Sequence, residues 1–177
     1  MNYANIKTHD IANGPGVRVS LYVSGCTHHC KGCFNPETWN HNYGDVFDDA
    51  VADRIITALE PDHIRGFSLL GGEPFDPKNS PEMAKLLKRI RETYPQKDIW
   101  CYTGYDYELD LLTYKVGQME AVCEMLDCID VLVDGRFVEE LKVIDLRFRG
   151  STNQRIIDVK KSLAADEIVE WRDKYQI

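Results

Sequence analysis

Apolar runs with the period of a strand alternate with runs at the period of a helix along almost the whole chain, and nothing else in the sequence limits the fold as strongly. In VRVSLYV, Val17, Val19, Leu21 and Val23 fall on one face and Arg18, Ser20 and Tyr22 on the other, the two-residue repeat of a strand. FDDAVADRIITALEP follows, with Val51, Ile55, Ala58 and Leu59 at helical spacing, aspartates in the first turn and Pro61 past the end. Gly66 to Pro74 (GFSLLGGEP) predicts a buried strand opening into a loop at its glycine pair. SPEMAKLLKRIRETYP predicts a helix with Ser80 as N-cap, Pro81 at the first helical position and a stripe of Met83, Leu86, Leu87, Ile90 and Tyr94. Further strands are predicted over 98–104, 128–135 and 155–159. Helical pieces are predicted near 106–112 and 118–126, with a terminal helix near 164–175 carrying Ile168, Trp171 and Tyr175.

Strands alternating with helices imply right-handed crossovers and a mainly parallel sheet whose functional loops gather at the strands' C-terminal ends. A closed eightfold barrel takes ~250 residues. The 177 residues here therefore fit an α/β fold built as a partial, open (β/α) barrel, in a single domain spanning 1–177. Five segments, 25–34, 71–74, 103–105, 134–135 and 150–154, fall at or just after strand ends and are expected to face one mouth.

The first of these segments carries the densest chemistry. GCTHHCKGCFN, residues 25–35, holds Cys26, Cys30 and Cys33, with Gly25 and Gly32 letting the backbone wrap closely around a ligand. Six cysteines in 177 residues are too few for a secreted disulfide scaffold, and in a reducing compartment clustered cysteines more often bind metal or do redox work. A structural zinc needs a fourth ligand, for which His28, His29 and His41 are at hand. An iron-sulfur cluster held by three thiolates instead leaves one iron open for a substrate. Cys101, Cys123 and Cys128 read as small buried apolar residues.

With 29 acidic against 21 basic residues the net charge is -8, which disfavours nucleic acid and anionic lipid as partners. The first ten residues, MNYANIKTHD, lack an apolar signal core, and no run approaches the ~18 apolar residues of a membrane span, so the expected setting is the cytoplasm. NGPG, residues 13–16, reads as a turn, and KRIR, residues 88–91, as a solvated helix face able to dock an acidic partner.

The cysteine triplet resembles the cluster-binding signature of the radical S-adenosylmethionine enzymes, and Gly71 to Pro74 (GGEP), on the next strand end, resembles their second motif. NGPGVRVSLYVSGCTHHCKGCFNPETW is similar to the activating proteins of glycyl-radical enzymes. VLVDGRF (131–137) and FRGSTNQR (148–155) narrow the likeness to the branch that activates the anaerobic ribonucleoside-triphosphate reductase, over residues 1 to about 160. Pyruvate formate-lyase activators share NGPG and the triplet but are typically longer. Where the superfamily places an aromatic residue before the last cysteine, this chain has Gly32, and Phe34 is the nearest aromatic.

The resemblance implies a radical S-adenosylmethionine fold. It also implies one [4Fe-4S] cluster on Cys26, Cys30 and Cys33, whose fourth iron chelates S-adenosylmethionine. It implies reductive cleavage of that cofactor and hydrogen abstraction by the 5'-deoxyadenosyl radical from a glycine of the reductase, with a low-potential donor such as reduced flavodoxin. The cofactor contacts it suggests are Gly32, Cys33, Phe34, Gly72, Glu73, Thr103, Asp134 and Asn153. Glu73 and the Gly72 carbonyl are expected to face the methionyl amino group, and Phe34 the adenine. Arg149, Ser151 and Gln154 are further loop candidates, and no protein side chain is assigned a catalytic step beyond cluster and cofactor.

Overall fold

The structure, a computed structural model, describes residues 1–113 and 119–173. Its strands are β1 (Asn2–Asp10), β2 (Val17–Val23), β3 (Asp45–Val46), β4 (Ile64–Gly71), β5 (Asp98–Tyr102), β6 (Val131–Asp134) and β7 (Arg155–Asp158). They form one sheet in the order β3-β1-β2-β4-β5-β6-β7. The helices are α1 (Asp49–Ala58), α2 (Ser80–Thr93), α3 (Met119–Cys128) and α4 (Val159–Ala165).

The sheet is mixed. β2, β4, β5 and β6 run parallel, as the alternation requires, while β1, β3 and β7 are antiparallel to their neighbours. The sequence reading missed β1 because it buries only Tyr3 and Asp10 fully, so its outward face carries no apolar alternation. The short link from β1 to β2 allows only an antiparallel neighbour, since a parallel one needs a long crossover.

Residue parity sorts the sheet into two faces. Val19, Leu21, Phe67, Leu69, Ile99, Cys101 and Leu132 join one core with Val51 and Ile55 of α1, Met83, Leu87 and Ile90 of α2, and Val122 and Met125 of α3. The alternate residues, Trp100, Val131 and Val133, face the other way and pack with Tyr102, Phe148, Ile156 and Trp171. Arg18 and Ser20 share this second face and are fully buried, although their polarity suggests exposure. The Arg18 guanidinium donates to Ser68 Oγ (2.7 Å) and the Phe67 carbonyl (2.8 Å) and pairs with Asp98. It also reaches the Pro15 carbonyl, and Ser68 Oγ donates to the Asn13 carbonyl, so NGPG is a turn moored to a buried cation.

Three local expectations are corrected. The predicted terminal helix over 164–175 is not seen among the described residues: α4 stops at Ala165, and Asp166 after it is left-handed (φ 53°). Residues 168–171 then run along β7, with Trp171 N–H donating to the Ile156 carbonyl and the Trp171 ring 4.9 Å from Trp100. Tyr175 lies outside the described residues, as does Gln118 at the start of the piece read over 118–126. Asn79, not Ser80, is the N-cap position of α2, and its side chain leaves the helix for other partners. Lastly, KRIR is not a plain solvated face, because Arg91 donates to the Cys128 carbonyl and pairs with Asp130 at 2.6 Å, tying α2 to the end of α3.

Candidate active site

Because β2, β4, β5 and β6 are parallel, the loops after Val23, Gly71, Tyr102 and Asp134 leave the sheet at one end. They surround a cavity of about 160 Å³ to which all five predicted segments contribute. The cysteine loop lines it with Cys26, His28, Cys30, Cys33 and Phe34, and the end of β4 and its loop with Leu70 to Glu73. The end of β5 and its loop add Tyr102, Thr103 and Gly104, and the far wall is Gly135, Phe137 and Gln154.

Hydrogen bonds continue the β2–β4 ladder out into the loops. Gly72 N–H donates to Val23 O and Glu73 N–H to Gly25 O, both at 2.7 Å, so the cysteine loop and GGEP leave the sheet as one stitched pair. A Cβ on Gly72 would lie 2.5 Å from the Gly25 carbonyl oxygen, so only glycine permits this approach. Asn79 Nδ2 adds bonds to the carbonyls of Ser24 and Glu73, each 3.0 Å.

Glu73 is fully buried at the centre of this frame. Oε1 accepts from Thr103 Oγ1 (2.8 Å) and Phe75 N–H (2.9 Å), and Oε2 from Gly104 N–H (2.8 Å) and His28 Nε2 (2.9 Å). Those four donors match the roughly four acceptor sites of a carboxylate. The side chain therefore organises the protein around it, and no donor among the described residues reaches the Gly72 carbonyl. Thr103 is likewise engaged, its Oγ1 also accepting from Tyr105 N–H.

Asp134 and Asn153 stand behind the wall and do not line the cavity. Asp134 Oδ2 accepts from Tyr107 N–H (3.0 Å), and both its oxygens are held by the Arg155 guanidinium. Asn153 Nδ2 donates to the Arg136 carbonyl. The wall itself is built by neighbours: Gln154 donates to the Gly135 carbonyl (2.9 Å) and accepts from the Gly150 and Ser151 amides. Arg149 is turned back on the Gln154 carbonyl, and Ser151 Oγ accepts from Val138 N–H. Gly32 makes the turn between Cys30 and Cys33. Phe34 is 61% exposed at the rim, 5.1 Å from the ring of Phe137, with Lys142 Nζ over its face. Phe137 escaped the sequence reading because its partner lies about a hundred residues away in the chain.

The donor set suits a thiolate-held cluster. Burial pushes the Cys26 thiol up to about 11 and raises Cys30 as well, while backbone amides of His28 and His29 at Cys26, and of Phe137 at Cys30, pull the other way. Neutral when alone, such thiols ionise on metal binding, and the amides then serve the sulfur charge. Among the described residues no three Cys, His, Asp or Glu side chains stand close enough to chelate an ion as they are. Of the histidines that a zinc site would draw on, His28 is bonded to Glu73, His29 packs against Trp39 (4.8 Å between rings) and His41 lies 3.2 Å from Asp76. Cys101 is fully buried in the core and Cys128 nearly so, while Cys123 is half-buried. Among the described residues no helix is long and apolar enough to cross a membrane.

Comparison with known proteins agrees with this chemistry. The family model of the 4Fe-4S single cluster domain matches residues 12–157. The chain is 49% identical over 156 residues to the anaerobic ribonucleoside-triphosphate reductase-activating protein of Escherichia coli K12, covering 87% of this chain and 96% of that one. The proteins of that name from Vibrio cholerae (42% identical, 88% and 97% covered) and bacteriophage T4 (39%, 88% and 93%) match as broadly. A site of three cysteines beside GGEP, a cluster-domain match over most of the fold and near full-length likeness to these relatives agree: the chain belongs to the family of anaerobic ribonucleoside-triphosphate reductase-activating proteins.

Proposed function

We propose that this chain is an activating enzyme that installs a glycyl radical on an anaerobic ribonucleoside-triphosphate reductase, using a [4Fe-4S] cluster and S-adenosylmethionine. The observation that carries this reading is the convergence of Cys26, Cys30 and Cys33 on one cavity with Gly72 and Glu73. Bound together, cluster and cofactor supply the one-electron chemistry that takes a hydrogen atom from a glycine Cα.

The residues of the chain bind, orient and enclose. Cys26, Cys30 and Cys33 hold three irons, with Gly32 setting the turn that brings the last two together. The cofactor's amino group is left to the Gly72 carbonyl, because the Glu73 carboxylate is saturated by its own frame. Thr103 acts through Glu73, and Asp134 and Asn153 brace the far wall. Phe34, paired with Phe137, offers its face to the adenine at the rim.

The sheet runs from β3 to β7 without returning on itself among the described residues. We read it as the curved frame of an incomplete (β/α) barrel of radical S-adenosylmethionine type, whose open side admits an extended glycine-bearing segment of the reductase. The inferred setting is the reducing cytoplasm, where thiols stay free for iron, with a low-potential donor such as reduced flavodoxin.

Anaerobic reconstitution tests the reading. About four irons and four sulfides per chain are expected, together with cofactor cleavage under reduction and a glycyl doublet by electron paramagnetic resonance when the reductase is added. Cys30→Ala is expected to abolish cleavage. A chain that retains only zinc and cleaves nothing overturns the proposal. A doublet only with a pyruvate formate-lyase type partner reassigns the substrate.

A further inference from the structure

His28 lies midway between Cys26 and Cys30, where its sequence context suggests an exposed loop residue. Its side chain is instead only 4% exposed. The imidazole occupies a slot with three walls. Nε2 is 2.9 Å from Glu73 Oε2, the ring meets the Tyr105 ring edge to face at 4.4 Å, and Gly104 forms the floor. A Cβ on Gly104 would lie 2.4 Å from the ring, so only glycine there admits it. With a carboxylate oxygen as acceptor, the tautomer that makes this bond is the one with the hydrogen on Nε2. The next residue, His29, is held at φ 47°, a left-handed conformation that a non-glycine side chain keeps only where its surroundings enforce it.

The donors to Glu73 come from three parts of the chain. Phe75 belongs to its own loop, Thr103 and Gly104 to the loop after β5, and His28 to the cysteine loop. Among the described residues, His28 is the side chain of the segment between Cys26 and Cys33 that bonds Glu73 itself, while its neighbour Thr27 meets the Tyr105 hydroxyl. We infer that His28 is a positioning residue: its bond to Glu73 sets the cysteine loop against the ends of β4 and β5, fixing the spacing between the three thiols and the Gly72 carbonyl. The inference rests on the function proposed above, since that spacing matters only if cluster and cofactor share the cavity. His28 touches neither in this role and acts through Glu73.

The test compares His28→Ala and His28→Gln, because a glutamine amide nitrogen reaches about where Nε2 does and keeps the donor. In reconstituted, reduced protein, His28→Ala is expected to raise the KM for S-adenosylmethionine by about tenfold, the lower end for lost outer-shell partners. The turnover at saturation and the iron per chain are expected to stay within about twofold. His28→Gln is expected to recover most of the KM. In the cluster-free chain, hydrogen exchange at the Gly104 amide is expected to quicken in His28→Ala and to be restored in His28→Gln. A normal KM and normal Gly104 exchange in His28→Ala overturn the inference, as does a glutamine variant no better than alanine, and so does loss of iron with unchanged affinity in the fraction still loaded. If the wild-type chain binds no S-adenosylmethionine, the proposed function fails, and the exchange measurement alone decides whether His28 orders the hub.

Discussion

The side-chain amide of Asn79 donates to the carbonyls of Ser24 and Glu73, 3.0 Å each, and so joins the start of α2 to both loops that leave β2 and β4. Asn79 is 1% exposed, so water cannot replace those bonds. Asn79→Ala is expected to destabilise the cluster-free chain by about 2–3 kcal/mol, the cost of two lost bonds with buried carbonyls left behind. Asn79→Asp should cost more, since it turns an acceptor toward acceptors. Urea unfolding in reducing, anaerobic buffer checks both, and a loss below that of an ordinary surface substitution would sink the assignment.

Arg155 is the cation for Asp134, Asp106 and Glu108 at the end of β6. Asp134 is 1% exposed at its side chain and Arg155 31%, so truncating the arginine strands a buried charge while part of the arginine's own site remains wet. Arg155→Met is expected to cost about 3 kcal/mol, the low end for a broken buried pair. Adding Asp134→Asn should recover part of the loss, and a double-mutant cycle by chemical denaturation measures the coupling.

The Tyr102 hydroxyl is buried with no hydrogen-bond partner among the described residues, and burial holds its pKa well above the usual phenol range. Removing an unpaired buried hydroxyl relieves its desolvation. Tyr102→Phe is therefore expected to leave the cluster-free chain equally stable or about 1 kcal/mol more stable. A clear loss of stability would show that the hydroxyl has a partner in solution.

Gly72→Ala forces a Cβ to within 2.5 Å of the Gly25 carbonyl oxygen, a backbone atom that cannot rotate away. The two loops must part, at a cost of about 1–3 kcal/mol for an overpacked site. Because the Gly72 carbonyl moves with them, affinity for S-adenosylmethionine should fall further than stability. Equilibrium dialysis on the reconstituted variant, set beside its unfolding midpoint, separates the two effects.

The central strands and the cysteine loop were legible because they depend on local pattern. VRVSLYV and GFSLLG carry their period or apolar run within six or seven residues, and three thiols in eight positions need no tertiary context to suggest a metal. The convergence of four strand-end loops followed from parallel strands leaving a sheet at one end, and segment 150–154 joins them because the antiparallel β7 starts there. The edges were not legible. β1 shows little apolar alternation, and residues 164–171 mimic a helical stripe while Trp171 packs across the sheet against Trp100.

Within the site, residue types and spacing singled out Cys26, Cys30 and Cys33, since thiol chemistry is intrinsic to the side chain, while GGEP was picked out by its resemblance to a known motif. Which polar atoms remain free for a ligand was decided only in three dimensions. Glu73 is spent on donors from residues 28, 75, 103 and 104, and Asp134 on Arg155 and Tyr107, so neither carboxylate is left open to a ligand. A carboxylate has a limited number of acceptor sites, and the segments that fill them meet only when parallel strands bring their ends together.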